Sequence, residues 1–324
     1  MFDFQTRINR NNTGASKWNQ APAVIKEHNY VPLSVADMEF AVAPAIREAI
    51  IRAAQHGIYG YTSIDDAYFE AVQDWLFSQH GLCITKDMLI TSTGVVTAFG
   101  AAIRAFSEPG DGVVIMPPVY FPFDQAIQNN ERTLLECPLQ QVDGHYEIDF
   151  ERFAAICQKP ETKLFLLCSP HNPVGRVWTR EELQRLADIC RENNVFVLAD
   201  EIHGDLAFRG HKHTCFATLD QAAENCIVMT AVSKTFNLAG LGCSNIIVPD
   251  AKRMEALRFV LARDSSLNVP YFARAATIAA YRESYDWYLE LMQTLEENDR
   301  TLREYVERNI PDIRVCPSEG TYLA

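Results

Sequence analysis

Seven short apolar runs separated by helical patterns constrain the fold of this chain more than any other feature. The runs lack the polar–apolar alternation of strands with one solvated face, so helices are expected on both faces of the sheet. Strands that alternate with helices predict an α/β fold whose large domain holds a mostly parallel, seven-stranded sheet between helices. The predicted strands are residues 88–91, 113–116, 133–137, 163–168, 195–199, 226–230 and 245–248.

Helical patterns fill the intervals between these strands and most of the chain after residue 250. Pro44 is a typical first residue of a helix, and Thr179 followed by Glu182 is the sequence signature of a capping box. The predicted helices are residues 44–55, 68–80, 94–105, 120–129, 150–158, 180–193, 252–263, 271–282 and 285–308.

The chain divides into three predicted parts. Residues 1–43 are predicted to be irregular and to contribute to a small α/β domain and to the entrance of the binding site. Residues 44–284 form the large domain, and residues 285–324 begin a C-terminal small domain. A strand is predicted at 313–316 and a second one near 320–324. Because the sequence stops inside that second apolar run, we expect the small domain to be incomplete here.

Composition narrows the function classes. A formal net charge of −13 without a strongly basic stretch argues against nucleic-acid binding, which leaves small molecules and copies of the chain as partners. Nine cysteines without a CxxC pattern suit reduced thiols. We find neither a signal-peptide pattern nor an apolar run of membrane-spanning length, so a cytoplasmic protein is expected. The run HKH at 211–213 is interpreted as a solvated loop, and no metal is expected.

One lysine stands just after the predicted strand 226–230, in the run SKTFN at 233–237. A lysine in a cramped, mostly apolar turn is poorly solvated as an ammonium, so the pKa of Lys234 should fall. Its amine would then be free to form an imine with a carbonyl group. A lysine is more often a solvated surface charge, and the interpretation therefore depends on what the neighbouring strand ends provide.

Two other predicted strands end in polar groups that suit one ligand. The run SPHNPVG (169–175) follows strand 163–168, and DEIH (200–203) follows strand 195–199. Because parallel strands end at one edge of a sheet, Lys234, Asp200 and Asn172 are expected to lie together. Pyridoxal 5′-phosphate (PLP) requires such a set. Lys234 would bind its aldehyde, Asp200 its pyridine nitrogen and Asn172 its 3′ oxygen.

Further residues are candidates for the rest of the cofactor. The helix predicted to begin at Gly94 offers the backbone N–H groups of Val95 and Val96 to a phosphate, and Ser233 adds a hydroxyl. Tyr120 is placed to cover the pyridine face. Each candidate also has an ordinary structural interpretation, since glycine often begins a helix and tyrosine often belongs to a core.

These residues and their order resemble the aminotransferase-like, fold-type I PLP-dependent enzymes. Within them, the chain is most similar to the MalY/PatB-type C–S β-lyase, or cystathionine β-lyase, family. The motifs NPxG and SKxF are shared across the superfamily, whereas HNPVGR, DEIH and SKTFNLAGL are typical of the lyase group. The matching runs are VADM (35–38), YGY (59–61), SPHNPVG (169–175), DEIH (200–203), SKTFNLAGL (233–241) and EGTY (319–322).

The resemblance implies a homodimer with shared active sites, in which Tyr61 reaches the cofactor phosphate of the partner subunit. It also implies substrate contacts at Asp37, Met38 and Tyr61. His203 and Gly242 stand where many aminotransferases have a tyrosine and an arginine, as in the lyase group. The family's arginine for the substrate carboxylate is expected after the last residue of this sequence.

The implied reaction is β-elimination from cystathionine or a cysteine S-conjugate, which releases a thiol, pyruvate and ammonia. Two alternatives stay open from the residues alone. A class I/II aminotransferase would use the same lysine, and a PLP-binding regulatory protein would turn over little substrate. Analysis of the products separates the first alternative from the lyase.

Overall fold

The computed structural model describes residues 1–28 and 30–323, and within them the chain forms the predicted seven-stranded sheet. Its strand order is β1-β9-β8-β7-β6-β2-β3, and β4 pairs with β5 as a separate hairpin that the sequence did not predict. The strands are β1 Leu89–Ser92, β2 Gly112–Ile115, β3 Thr133–Glu136, β4 Gln140–Val142, β5 His145–Glu147, β6 Thr162–Cys168, β7 Phe196–Asp200, β8 Cys226–Thr230 and β9 Ser244–Ile247.

Strand direction brings the functional candidates to one edge of the sheet. Strands β2, β3, β6, β7 and β8 pair in parallel, and β9 is antiparallel to both β8 and β1. Strand β1 therefore points the same way as β8. The residues that follow β1, β2, β6, β7 and β8 consequently lie at the same edge, where open α/β sheets bind ligands.

Helices cover both faces of the sheet, as the continuous apolar strands predicted. Apolar residues of α5, α6 and α10 form the core on one face, and those of α3, α4, α7, α8, α11 and α12 form the core on the other. The helices are α1 Ser16–Asn19, α2 Ala23–Glu27, α3 Pro44–Gln55, α4 Asp66–His80, α5 Val95–Phe106, α6 Pro122–Asn129, α7 Phe150–Cys157, α8 Arg180–Glu192, α9 Val232–Thr235, α10 Ala251–Arg263, α11 Tyr271–Glu283 and α12 Tyr285–Asn309.

Several predicted boundaries are confirmed, and a few predictions are wrong. Helix α3 and strand β8 have the predicted limits, and the capping box at the start of α8 is present. Residues 313–316 form no strand, and the only pairing found for described residues 320–323 is an isolated bridge from Gly320 to Ala207. Ala324 lies outside the described residues. The segment 1–43 is not wholly irregular, because it contains α1 and α2.

The predicted solvated loop at 211–213 is wrong for one residue. His213 is buried, and its Nε2 atom lies 3.0 Å from Oε2 of Glu201.

All nine cysteines are free, and all but Cys83 and Cys316 are buried. No helix within residues 1–28 and 30–323 is both long and apolar enough to cross a membrane. In the same residues, no group of three or more potential ligands is placed to hold a metal ion.

Candidate active site

A cavity of about 1040 Å³ lies among the strand-end loops and is the candidate active site. Lys234, Asn172 and Tyr120 line it, each from the segment that follows a different strand of the sheet. Asp37 and Met38 line it from the N-terminal segment. The structure therefore brings together five of the predicted site residues from four separate stretches of the chain.

Lys234 lies on the short helix α9, which begins two residues after the end of β8. Its side chain is half-buried, and Nζ donates a hydrogen bond to the Ala36 carbonyl oxygen at 3.0 Å. Burial lowers the pKa of Lys234, and this outweighs the opposing attraction of Asp200 and Asp37. The predicted fall in pKa is confirmed, so more of the amine is neutral and nucleophilic at a given pH.

Asp200 is the last residue of β7 and is only 2% exposed. Burial raises the pKa of its carboxyl group to about 7, against the opposing effects of the Ile202 amide and the Lys234 charge. Oδ1 accepts a hydrogen bond from that amide at 3.2 Å. Such a carboxyl group is poorly compensated as an anion and would be stabilised by a nearby cationic N–H.

Several further buried polar atoms at this edge have no hydrogen-bond partner among the described residues. They include Nδ1 of His203 and Oγ of Ser169. Burial, followed by the Lys234 charge, lowers the pKa of His203 to about 3, so its imidazole is neutral. Unpaired buried donors and acceptors are uncommon in native proteins and indicate that a polar ligand belongs nearby.

Asn172 and Tyr120 present polar atoms from neighbouring loops. The backbone N–H of Asn172 donates to Cys168 Sγ at 3.3 Å, whereas its side-chain amide bonds to no described residue. Tyr120 lies before α6 and not within it, because the helix begins at Pro122. Burial raises the pKa of Tyr120, and the nearby charges of Asp200 and Cys168 raise it further.

The N-terminus of α5 supplies the predicted anion site. Gly94 precedes the helix with φ 153° and ψ 162°, a backbone conformation that favours glycine. No side chain among the described residues caps the helix, which leaves the first N–H groups, including those of Val95 and Val96, available. Ser233 is half-buried on α9.

The backbone at position 242, where many aminotransferases have an arginine, favours glycine in this chain. Its φ is 57°, and a Cβ atom would lie 3.2 Å from the Thr93 carbonyl oxygen. A side chain at this position would therefore strain the turn and press on the loop before α5. The backbone geometry accounts for glycine where many aminotransferases have arginine.

Seven predicted site residues do not line the cavity: Gly94, Val95, Val96, Asp200, His203 and Ser233, which follow strand ends at the same sheet edge, and Tyr61, which lies between α3 and α4. The side chain of Tyr61 is fully exposed. Met38 is buried at 7% exposure, and its backbone is held by the Asn237 side chain. The carboxylate of Asp37 forms ion pairs with Arg10 and Lys17.

The sequence interpretation missed Asn237, Arg10, Lys17 and Tyr322. Asn237 and Arg10 line the cavity, and Tyr322 donates a hydrogen bond to the same Ala36 oxygen as Lys234, at 3.2 Å. One signal was available, since the carboxylates in the short run ADMEF (36–40) require cationic partners when they fold against a core. Nothing in the spacing identified which cations these are.

The residues present fit PLP. A lysine with a lowered pKa, a buried carboxyl group poor in hydrogen bonds and unpaired polar atoms of His203 and Ser169 lie at one edge of the sheet. The uncapped N-terminus of α5 follows β1 at that edge and is suited to a phosphate.

The fold and the site together define a protein of the aminotransferase type. Residues 28–324 match the sequence model of the family Aminotransferase class I and II, and the chain belongs to that family. Cystathionine beta-lyase PatB of Bacillus subtilis is 39% identical over 323 residues, which cover 99% of this chain and 84% of the relative. Protein MalY of Escherichia coli is 33% identical over 327 residues, covering 100% of this chain and 83% of the relative.

A solved structure agrees with these relatives. The crystal structure of cystalysin from Treponema denticola, which contains a pyridoxal 5′-phosphate cofactor, superposes with a TM-score of 0.95 at 38% identity. The match covers 99% of this chain and 82% of cystalysin. The resemblance drawn from the motifs is thereby confirmed for the family and the fold.

Proposed function

We propose that this protein is a PLP-dependent C–S β-lyase, which releases a thiol, pyruvate and ammonia from cystathionine or a cysteine S-conjugate. One observation carries the proposal: the Lys234 amine, with its lowered pKa, shares a cavity with Asn172 and Tyr120 beside the buried Asp200. The 39% identity to a cystathionine β-lyase directs this chemistry toward C–S cleavage.

When bound, PLP supplies an electron sink for the charge that develops at the substrate Cα. Lys234 would hold its aldehyde, and Asp200 would keep its pyridine nitrogen protonated. Asn172 and His203 would donate to, or pack beside, the ring oxygen, and Tyr120 would cover the ring face. The phosphate would be held by the backbone and hydroxyl groups at Gly94, Val95, Val96 and Ser233.

Lys234 would also move the proton. Once the substrate amine has replaced Lys234 on the cofactor aldehyde, the freed and neutral Nζ would accept the proton from the substrate Cα, and the electron pair of that C–H bond would become available for elimination. The Cβ–S bond would then break with its electron pair on sulfur, and the Nζ proton would neutralise the departing thiolate. One water would hydrolyse the remaining unsaturated amino acid to pyruvate and ammonia. In an aminotransferase the proton would be returned to the cofactor side, so the two reactions differ in where Nζ delivers it.

The test uses purified protein loaded with PLP. Pyruvate release from cystathionine is expected, with loss of activity in Lys234→Ala and normal activity in Lys252→Ala, an exposed lysine that serves as the matched control. Absence of pyruvate together with conversion of a keto acid into an amino acid would establish the aminotransferase instead.

We also propose a cytoplasmic homodimer in which Tyr61 completes the partner's site, with residues 44–284 as the large domain. Ile58, Tyr59 and Tyr61 expose apolar surface on one loop, as protein interfaces do. Free, mostly buried cysteines suit a reducing compartment. Sedimentation at increasing protein concentration tests the dimer, and Tyr61→Ala should weaken PLP binding if the sites are shared.

A further inference from the structure

Residues 36–40, which we call the wall segment, form part of the cavity wall. The wall segment contacts the catalytic lysine directly, because the Ala36 carbonyl oxygen accepts the hydrogen bond from Lys234 Nζ at 3.0 Å. Asn237, which follows the end of helix α9, holds the segment as well. Its side chain accepts from Met38 N at 3.0 Å and donates to the carbonyl oxygens of Met38 and Phe40 at 2.9 and 3.0 Å.

Two cations hold the wall segment from its other side. Arg10 contacts Asp37 at 2.7 Å and Glu39 at 2.9 Å through separate guanidinium nitrogens. Lys17 lies 2.8 Å from Asp37 Oδ1 and 3.1 Å from Glu39 Oε1, and it also donates to the Asp37 carbonyl oxygen at 2.5 Å. The segment is thus fixed between the N-terminal residues and helix α9.

The two positive charges of these cations equal the two negative charges of the wall segment. Lys17 needs this compensation because it is buried. Its side chain is 4% exposed, so its ammonium depends on the two carboxylates in place of water. Arg10 and Lys17 together neutralise Asp37 and Glu39. Although burial opposes ionisation, hydrogen bonds from Arg10 and Lys17 hold the pKa of Asp37 below its usual range. Loss of either cation would leave one unbalanced negative charge in the wall.

That charge would act on the Lys234 amine. The charged groups that face Nζ are Asp200 from the end of β7 and Asp37 from the wall segment, and each favours its protonated form. His203 is neutral, and Tyr322 shares the Ala36 carbonyl oxygen as a neutral hydroxyl. Asp37 is therefore the facing anion whose charge is compensated by two cations of the N-terminal segment, Arg10 and Lys17.

We propose that Lys17 and Arg10 are positioning residues for the Lys234 amine, which act by fixing the wall segment and by compensating the charge of Asp37. The proposal deepens the proposed function, on which it rests for the role of Lys234. It predicts that removing a positive charge and removing a negative charge have opposite effects on the Lys234 amine. Lys17→Met should raise the pH at which the Lys234 amine becomes reactive, and Asp37→Asn should lower it.

The experiment measures the cofactor-free protein, so that its outcome does not depend on lyase activity. The acylation rate of Lys234 is followed against pH by mass spectrometry, with the exposed Lys252 as internal reference. The midpoint of this dependence of acylation rate on pH is expected to rise by about half a pH unit to one pH unit in Lys17→Met. It is expected to fall by a similar amount in Asp37→Asn. The variant that combines Lys17→Met with Asp37→Asn should have a midpoint near that of the parent protein. Lys17→Arg, which keeps the positive charge, should also have the parent midpoint.

A purely structural role for the cations gives a different result. It would loosen the wall segment in both single variants and shift both midpoints in the same direction or in neither, which would overturn the proposal. Arg10→Met, whose side chain is 22% exposed, replaces Lys17→Met if that protein does not fold, and the same upward shift is required of it. Failure of pyruvate release in the parent protein would overturn the proposed function while leaving this charge pattern intact.

Discussion

Replacing Asp200 by asparagine separates the structural cost of a buried carboxyl group from its use in catalysis. Burial raises the pKa of Asp200 to about 7. Because this folded-state pKa lies above the unfolded one, the folded protein holds the proton more tightly. The contribution of Asp200 to stability is therefore fully present below the unfolded pKa and is lost as the pH rises through 7.

The size of this contribution to the free energy of unfolding follows from the unfolded-state and folded-state pKa values of Asp200. The rise from 3.8 to about 7 corresponds to about 4 kcal/mol when fully expressed, and about 2.5 kcal/mol of this develops between pH 5 and pH 8. Asparagine has nearly the same size and keeps an oxygen for the Ile202 amide, but it does not ionise. The stability advantage of cofactor-free Asp200→Asn should therefore grow by about 2.5 kcal/mol over that range.

Urea denaturation of the cofactor-free parent and variant near pH 5 and near pH 8 measures this difference. The pKa of His203, lowered to about 3 by burial, gives both proteins the same additional pH dependence, which cancels in the comparison. An identical pH dependence in the two proteins would show that the Asp200 carboxyl group is not held protonated by the folded protein. The same variant should release pyruvate at least about a hundredfold more slowly, because no anion then faces the pyridine nitrogen.

Three further outcomes are expected. Lys234→Ala should lower kcat for pyruvate release by at least about a hundredfold, since the proton acceptor is lost, and near-normal turnover would contradict its role. Asn237→Ala removes three hydrogen bonds to the wall segment. It should lower the free energy of unfolding by about 1–3 kcal/mol, measured in urea, with faster amide exchange at residues 36–40. Burial opposes protonation of His80, but Asp205 outweighs it and raises the pKa. The stabilisation that His80 provides is thus lost as the pH rises through that raised pKa, and His80→Gln should lack this part of the pH dependence of the free energy of unfolding, measured in urea.

The regular elements were predictable because each is encoded in a short stretch of sequence. Pro44 and the Thr179–Glu182 capping box marked helix starts that the structure confirms. The predicted strand at 313–316 was wrong for a complementary reason. Its alternating apolar residues match a strand pattern, but a strand also needs a neighbour to pair its N–H and C=O groups, and the described chain offers none there.

The candidate site was predictable only where it depends on strand ends. Parallel strands place their final residues at one edge whatever the rest of the chain does, and this rule brought Lys234, Asn172 and Asp200 into the prediction. Asn237 was missed because its partners Met38 and Phe40 lie almost two hundred positions away along the chain. Local patterns carry no information about such a contact.

The two carboxyl groups that act on Lys234 are fixed by different means, and this has a consequence for related proteins. Asp200 is fixed by sheet register, opposite Cys168 on one neighbour and Met229 on the other. Asp37 is fixed by ion pairs to residues near the N-terminus, which the sheet does not constrain. Substitutions there can therefore alter the charge near the amine without disturbing the strand-end residues. Relatives that share those residues but differ at the position of Lys17 should differ in the pH at which the lysine amine is free.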